Sequence, residues 1–127
     1  MRVISRSRLR RFWESRTNDS DSAQKALRAW EKIAKGAIWS NWSELKQTFG
    51  TADRVGNCIV FNVGNNAYRL IARVMFNKER IYILKVMDHG EYDKKDRRNQ
   101  SRSQWETDCN CHEPPPKSRP AADKLRE

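Results

Sequence analysis

Cysteine, proline, glycine and long apolar runs are all scarce in this sequence, and each scarcity removes a class of protein. The 3 cysteines, Cys58, Cys109 and Cys111, make no disulfide framework for a chain of 127 residues, which argues against a small cross-linked secreted scaffold. No apolar run approaches the roughly 20 residues that span a bilayer, and the N-terminus carries no apolar signal core. Membrane insertion and secretion are therefore not expected, and the cytoplasm is the expected compartment. All 4 prolines, Pro114, Pro115, Pro116 and Pro120, fall near the C-terminus. The 5 glycines leave few breaks, of which Gly36, Gly50, Gly56 and Gly64 punctuate the pattern.

Acidic charge is the minority. Lys+Arg number 26 against 16 Asp+Glu, a formal charge of +10. Residues 1–96 hold 19 Lys+Arg and 11 Asp+Glu, so +8 of the excess belongs to the part expected to fold. A partner is then nucleic acid or another acidic surface. The length suits one domain with a modest core.

Residues 68–93 read as a β-hairpin. Tyr68, Leu70, Ala72, Val74 and Phe76 alternate with Arg69, Ile71, Arg73 and Met75, and Tyr82, Leu84 and Val86 alternate with Ile81, Ile83, Lys85 and Met87. If Leu70/Ala72/Val74 and Tyr82/Leu84/Val86 share the core face, the loop is Lys78-Glu79-Arg80. Val74 is then opposite Leu84, Arg73 opposite Lys85, and Arg69 faces His89. Like charges directly opposite one another disfavour a strand pair, so this register calls for an anion on that face. The same charges serve equally well as a solvated surface.

Ahead of the hairpin, Arg2-Val3-Ile4 is a first strand, and Ser5 or Ser7 caps a helix burying Leu9, Phe12 and Trp13. Arg6, Arg10 and Arg11 lie on its other face, available to phosphate or simply to water. Asp21 or Ser22 starts a second helix with the stripe Ala23, Ala26, Leu27, Trp30, Ile33 and Ala34, stopped at Gly36. A short helical turn from Ser43 follows, and Trp30, Trp39 and Trp42 fill the space between helices and sheet. Residues 58–63 form a strand, and Gly64-Asn65-Asn66, tolerant of positive φ, turns it into the hairpin. The fold class is α+β: two N-terminal helices packed on a largely antiparallel β-sheet, in the order β-α-α-β-β-β, with a short C-terminal helix at EYDKKD.

FNVGNNAYRLIARV and IYILKVMDHGEYDKKD, preceded by RVISRSRLRRFWE and TADRVGN, make residues 1–96 resemble the HigB family of type II toxin–antitoxin toxins, within the RelE-like superfamily of mRNA endoribonucleases. The resemblance implies a compact RelE-like fold and a toxin that cleaves translated mRNA in the A site of the 70S ribosome. It implies no cofactor, and a cognate antitoxin with a helix-turn-helix DNA-binding domain as partner. Two positions depart from the family pattern. Gly64-Asn65-Asn66 stands where Gly-Gly-Asn is usual, and Asp88 stands where Thr or Ser usually precedes the histidine, placing a carboxylate beside the candidate site.

RNA cleavage without a metal uses the 2′-hydroxyl of the substrate as nucleophile. The protein must take that proton, protonate the leaving 5′-oxygen and neutralise charge on the phosphate. His89 suits the proton transfers, because imidazole exchanges a proton near neutrality. Arg69, Lys85 and Arg73 suit the phosphate. Tyr92 either stacks on a base, helps move a proton or packs the short helix. Asp93 orients His89 or Tyr92, and Glu91 is a further base whose direction the alternation leaves open. Lys94, Lys95, Arg10 and Arg11 are candidate RNA contacts. The alternative function is a non-catalytic basic RNA- or DNA-binding module, an inactivated toxin relic.

Residues 97–127 form a polar, proline-containing tail in which disorder is expected. Cys109-Asn110-Cys111-His112 suggests zinc only weakly, since a closed site needs four ligands and Cys58 and His89 are the only other candidates. No metal is assigned.

Overall fold

In the computed structural model, residues 1–112 are described. The first strand, β1 (Arg2–Ile4), leads into α1 (Arg6–Ser15), whose start is capped by the Ser5 hydroxyl accepting from the Ser7 amide. Helix α2 (Ser20–Gly36) begins earlier than the sequence pattern suggests, because the Ser20 hydroxyl donates to the Trp13 carbonyl and fixes the turn there. A full helix, α3 (Trp42–Thr48), replaces the expected turn, with Asn41 accepting from the Glu44 amide. Three strands then follow in succession: β2 (Asp53–Val55), β3 (Cys58–Val63) and β4 (Tyr68–Met75). A 3-10 turn at Phe76–Lys78 reverses the chain into β5 (Arg80–Asp88), which runs into α4 (His89–Tyr92) and later α5 (Gln104–Asp108).

The five strands lie in the order β1-β5-β4-β3-β2, with β1 parallel to β5 and every other pair antiparallel. This is the α+β architecture expected, extended by β2. Leu9, Trp13, Leu27 and Trp30 from the helices close on Phe61, Leu70, Ala72 and Ile81 from one sheet face. Trp30 and Trp39 are buried there and Trp42 packs partly buried against them, as the sequence suggests, and Trp30 also meets Phe49 and Phe61 ring to ring. Ile33 is the exception in the α2 stripe and stays 48% exposed. Gly64, Asn65 and Asn66 all take positive φ, which is how so short a link turns β3 into β4.

The hairpin register differs from the expected one. Ile71 pairs with Lys85, but Ala72 pairs with Ile83, so Leu84 is an extra residue bulged out of β5. Two features account for the difference: the turn falls two residues earlier than Lys78-Glu79-Arg80, with Glu79 in the left-handed region, and the bulge swaps the faces of β5 partway along. Ile81 and Ile83 therefore join the helix-side core, and Val86 packs there too. Leu84 turns to the opposite face. Arg73 is opposite Tyr82, not Lys85, so β4 and β5 place no like charges opposite one another.

That opposite face is also covered, which corrects two further expectations. Cys58, Val60, Ile71 and Met87 would lie bare, but Trp105, Cys109 and Cys111 pack onto them. Residues 97–112 are thus part of the folded body, while the disorder expected for residues 113–127 lies outside the described residues. Cys58 and Cys111 are joined in a disulfide across 53 residues of sequence. The near-absence of apolar residues in the tail concealed this, since a single tryptophan and two cysteines suffice to cover a small patch. Cys111 is therefore not free to bind zinc, and His112 Nε2 is 2.6 Å from Glu106 Oε1.

Gly56 makes this docking possible. Its φ is +58°, and a Cβ there would lie 2.0 Å from the Cys111 carbonyl oxygen, beside the hydrogen bond from the Asn57 amide to that oxygen at 2.7 Å. Gly56→Ala is expected to destabilise the protein by on the order of 2 kcal/mol, the strain of a side chain in this region plus the clash. Urea unfolding of the variant measures it, and an unchanged midpoint would refute the contact.

Candidate functional site

The end of β5 and the single turn of α4 place His89 where β4 can reach it. Arg69 pairs with Met87 in the ladder, not with His89, yet its side chain extends along the face and its Nη2 comes within 3.0 Å of His89 Nε2. A guanidinium only donates, so Nε2 is the acceptor and the ring proton is on Nδ1. That nitrogen is 3.6 Å from Asp93 Oδ2, one helical turn on. Arg69 also donates to the Asn66 carbonyl at 2.8 Å, and its guanidinium carbon is 5.1 Å from the centre of the Tyr92 ring. His89, Arg69, Tyr92 and Asp93 are thus one cluster, with His89 and Asp93 exposed to solvent.

Asp88, the departure next to the histidine, has both carboxylate oxygens engaged by other groups. One carboxylate oxygen accepts from the Glu91 amide at 2.9 Å and caps α4, while the other takes an ion pair from Arg16 at 3.0 Å. Arg16 bonds Asp19 at 2.9 and 3.2 Å, and Asp19 accepts the Tyr68 hydroxyl at 2.6 Å. The guanidinium lies against the rings of Phe12 and Tyr68, 5.3 and 5.9 Å from their centres. The Glu91 amide and Arg16 together hold the Asp88 carboxyl below its usual range. Burial and the Asp19 carboxylate push the Tyr68 phenol up to about 12. Arg16 carries no sequence signal for this role, because its partners lie on other elements.

Lys85 and Arg73 share the sheet face with Arg69, but each already has partners. Lys85 Nζ is 3.1 Å from Glu91 and 3.5 Å from Asp108. Burial works to lower its pKa, yet the two carboxylates carry it above the usual lysine value. Arg73 Nη2 is 3.3 Å from Asn57 Oδ1 and 3.4 Å from the Asn110 carbonyl. Tyr92 stacks on Trp105 with ring centres 5.4 Å apart and planes at 14°, and burial raises its phenol pKa. Tyr92 therefore packs as well as contacts Arg69.

The remaining candidates divide. Lys94 and Lys95 are exposed beyond α4, where the Lys94 carbonyl accepts from the Gln104 amide at 2.8 Å. Arg11 lines a shallow hollow with Arg8, Phe12 and Lys85, so it reaches the edge of the site. Arg8 also belongs to that edge, donating to the Leu84 carbonyl at 3.1 Å where β1 no longer covers β5. Arg10 lines a different hollow with Arg6, Gln24 and Arg28, between α1 and α2, and is not brought to His89. Among the described residues no group of three or more His, Cys, Asp or Glu is placed to hold a metal ion.

Asp88→Ala is expected to cost about 1 kcal/mol, the loss of a cap and of a half-exposed ion pair. The pKa of Asp88 is depressed in the folded state, so this stability is fully present above the ordinary carboxylate pKa of 3.8 and disappears as pH falls through the lower folded-state value. Urea midpoints of both proteins between pH 2 and 7 should converge only at the acid end of about that range. A constant gap would assign the effect to something other than the carboxylate charge.

Over 64 residues the chain is 41% identical to the mRNA interferase toxin HigB of Escherichia coli strain K12, and equally to the mRNA interferase HigB of Escherichia coli O157:H7 and of Shigella flexneri. Each alignment takes in 48% of this chain and 61% of the relative, so the match spans about three fifths of their length. A family model described as HigB_toxin, RelE-like toxic component of a toxin-antitoxin system, matches residues 23–95, which take in both β4 and the His89 turn. With more than half of its length inside that match, the chain belongs to the HigB toxin family.

Proposed function

We propose that this protein is a ribosome-dependent endoribonuclease that cleaves translated mRNA in the ribosomal A site, arrests growth, and is neutralised by a helix-turn-helix antitoxin. The observation that carries the reading is the contact between Arg69 Nη2 and His89 Nε2 at 3.0 Å on an open, basic surface. The relatives named mRNA interferases support the reaction class.

A phosphate arriving at this surface competes for the Arg69 guanidinium, which binds an anion in preference to a neutral ring. Released from Arg69, the unprotonated Nε2 is free to take the 2′-hydroxyl proton, and Asp93 stabilises the imidazolium that results. The 2′-oxygen attacks phosphorus, the bond to the 5′-oxygen breaks and that oxygen takes up a proton from water, while Arg69, joined by Lys85 once the phosphate displaces its carboxylates, neutralises charge on the non-bridging oxygens. No metal enters this scheme. Tyr92 flanks Arg69 and limits where the guanidinium can swing. Asp88 faces Arg16, an arrangement that supports an active enzyme over an inactivated relic.

Primer extension on an mRNA, with and without translating ribosomes, tests the proposal. The expected result is ribosome-dependent cutting that falls about 100-fold in His89→Ala and in Arg69→Ala, the scale of a lost acid–base or charge-stabilising group. Both variants should keep the wild-type urea midpoint within about 0.5 kcal/mol, because neither side chain is buried. RNA binding without cuts would establish the non-catalytic reading instead.

A further inference from the structure

We propose that residues 96–112 are a strap that competes with single-stranded RNA for the basic sheet face, and that the Cys58–Cys111 bond latches it in place. The inference rests on the endoribonuclease reading above and on the sequence expectation that Lys85 and Arg73 meet phosphate and Tyr92 stacks on a base. It names what controls access to them.

The strap presents to each of these side chains the chemistry that RNA would present. The Asp108 carboxylate is 3.5 Å from Lys85, where a phosphate would bind. The Asn110 carbonyl oxygen is 3.4 Å from Arg73 Nη2. The Trp105 ring stacks on Tyr92 as a base would. His89 and Arg69 stay outside it: Arg69 contacts Tyr68, Asn66 and Tyr92, and His89 contacts Arg69 and Asp93. His89 and Arg69 are thus open while Lys85, Arg73 and Tyr92 are filled. Residues 96–112 also lie beyond the match to the family model, which ends at residue 95.

Both ends of the strap are tied. At one end Lys95 bridges Ser103, Asp96 accepts from the Thr107 hydroxyl and the Arg98 amide, and the Gln104 amide bonds the Lys94 carbonyl at 2.8 Å. At the other, the Asn57 amide bonds the Cys111 carbonyl at 2.7 Å and the disulfide joins Cys111 to β3. The strap's buried apolar side chains are Trp105, Cys109 and Cys111, a small anchor. Without the cross-link the strap depends on that anchor and a few hydrogen bonds, so its open state becomes accessible.

Opening takes a dithiol reductant. One of its thiolates attacks a sulfur of the Cys58–Cys111 bond, forming a mixed disulfide and releasing the other cysteine, which takes up a proton. Its second thiol then displaces the remaining protein sulfur. The reductant leaves as a disulfide, and Cys58 and Cys111 leave as thiols, having gained two electrons and two protons. Both sulfurs are fully covered, so the reaction waits on a local opening of the strap. Cys109 does not compete, since burial pushes its thiol up to about 11 and keeps it protonated.

The test uses the full chain, oxidised or reduced with dithiothreitol, together with Cys111→Ser and Asp108→Asn. Fluorescence anisotropy with a labelled single-stranded RNA oligonucleotide at fixed salt gives affinity, and translation-coupled cleavage gives activity. Reduction and Cys111→Ser should each tighten RNA binding about tenfold, the gain expected when a mostly closed surface becomes mostly open. Asp108→Asn, which leaves the latch intact and so keeps the fold, should tighten it about threefold by removing one of the two carboxylates that compete with phosphate for Lys85. Affinities within about twofold across all four forms, or weaker in the opened ones, would overturn the strap. Cleavage that requires His89 but ignores redox state, with equal affinities, leaves the enzyme standing and removes the strap. Tighter RNA binding on reduction with no cutting in any form supports the strap and removes the enzyme.

Discussion

One extra residue in β5 governs much of what this molecule presents to its surroundings. An uninterrupted β5 paired with β4 in a single register would leave either Ile81 and Ile83 or Val86 on the wrong face. The bulge at Leu84 lets both sets meet the helices, and it leaves Lys85 and Met87 on the far face beside Ile71 and Arg69. A strand that changes its hydrophobic parity midway is thereby accommodated. That offset puts Lys85 on the same face as Arg69 and Arg73 of β4.

Most of the architecture was legible because the helices obey simple periodicity. Leu9, Trp13, Leu27 and Trp30 stand at helical spacing, and all four are buried. Gly64-Asn65-Asn66 announced its turn by residue type alone, and all three positions have positive φ. Strict alternation misled at β5, where Tyr82 and Leu84 read as core. A bulge has no composition of its own, so nothing in the local pattern warns of the parity change. Strand β2 was too short and too polar to register as a strand.

The candidate site was legible in part, and for a definable reason. Arg69 and His89 carry the chemistry in their own side chains, and length let Arg69 reach the ring although the ladder places it opposite Met87. Arg16, by contrast, acquires its role only from two carboxylates on other elements, Asp19 at the start of α2 and Asp88 at the end of β5. The cover over Lys85 and Arg73 is illegible in the sequence for the opposite cause. Residues 97–112 are polar enough to read as solvated chain, yet they fold because the sheet offers an apolar patch that three side chains can fill. Binding opportunity on the body, not hydrophobicity in the segment, decides whether such a stretch is ordered.

The cross-link between Cys58 and Cys111 also changes what the unfolded chain is. Oxidised, that chain is a lariat: its ring contains β3, β4, β5 and the His89 turn, while all three N-terminal helices hang from it as a free arm. Closing a ring of 53 residues removes entropy worth about 4 kcal/mol from the denatured ensemble on the polymer estimate. Nearly all of that restriction falls on the half of the chain that carries the candidate chemistry, so the two halves enter folding from unequal starting points.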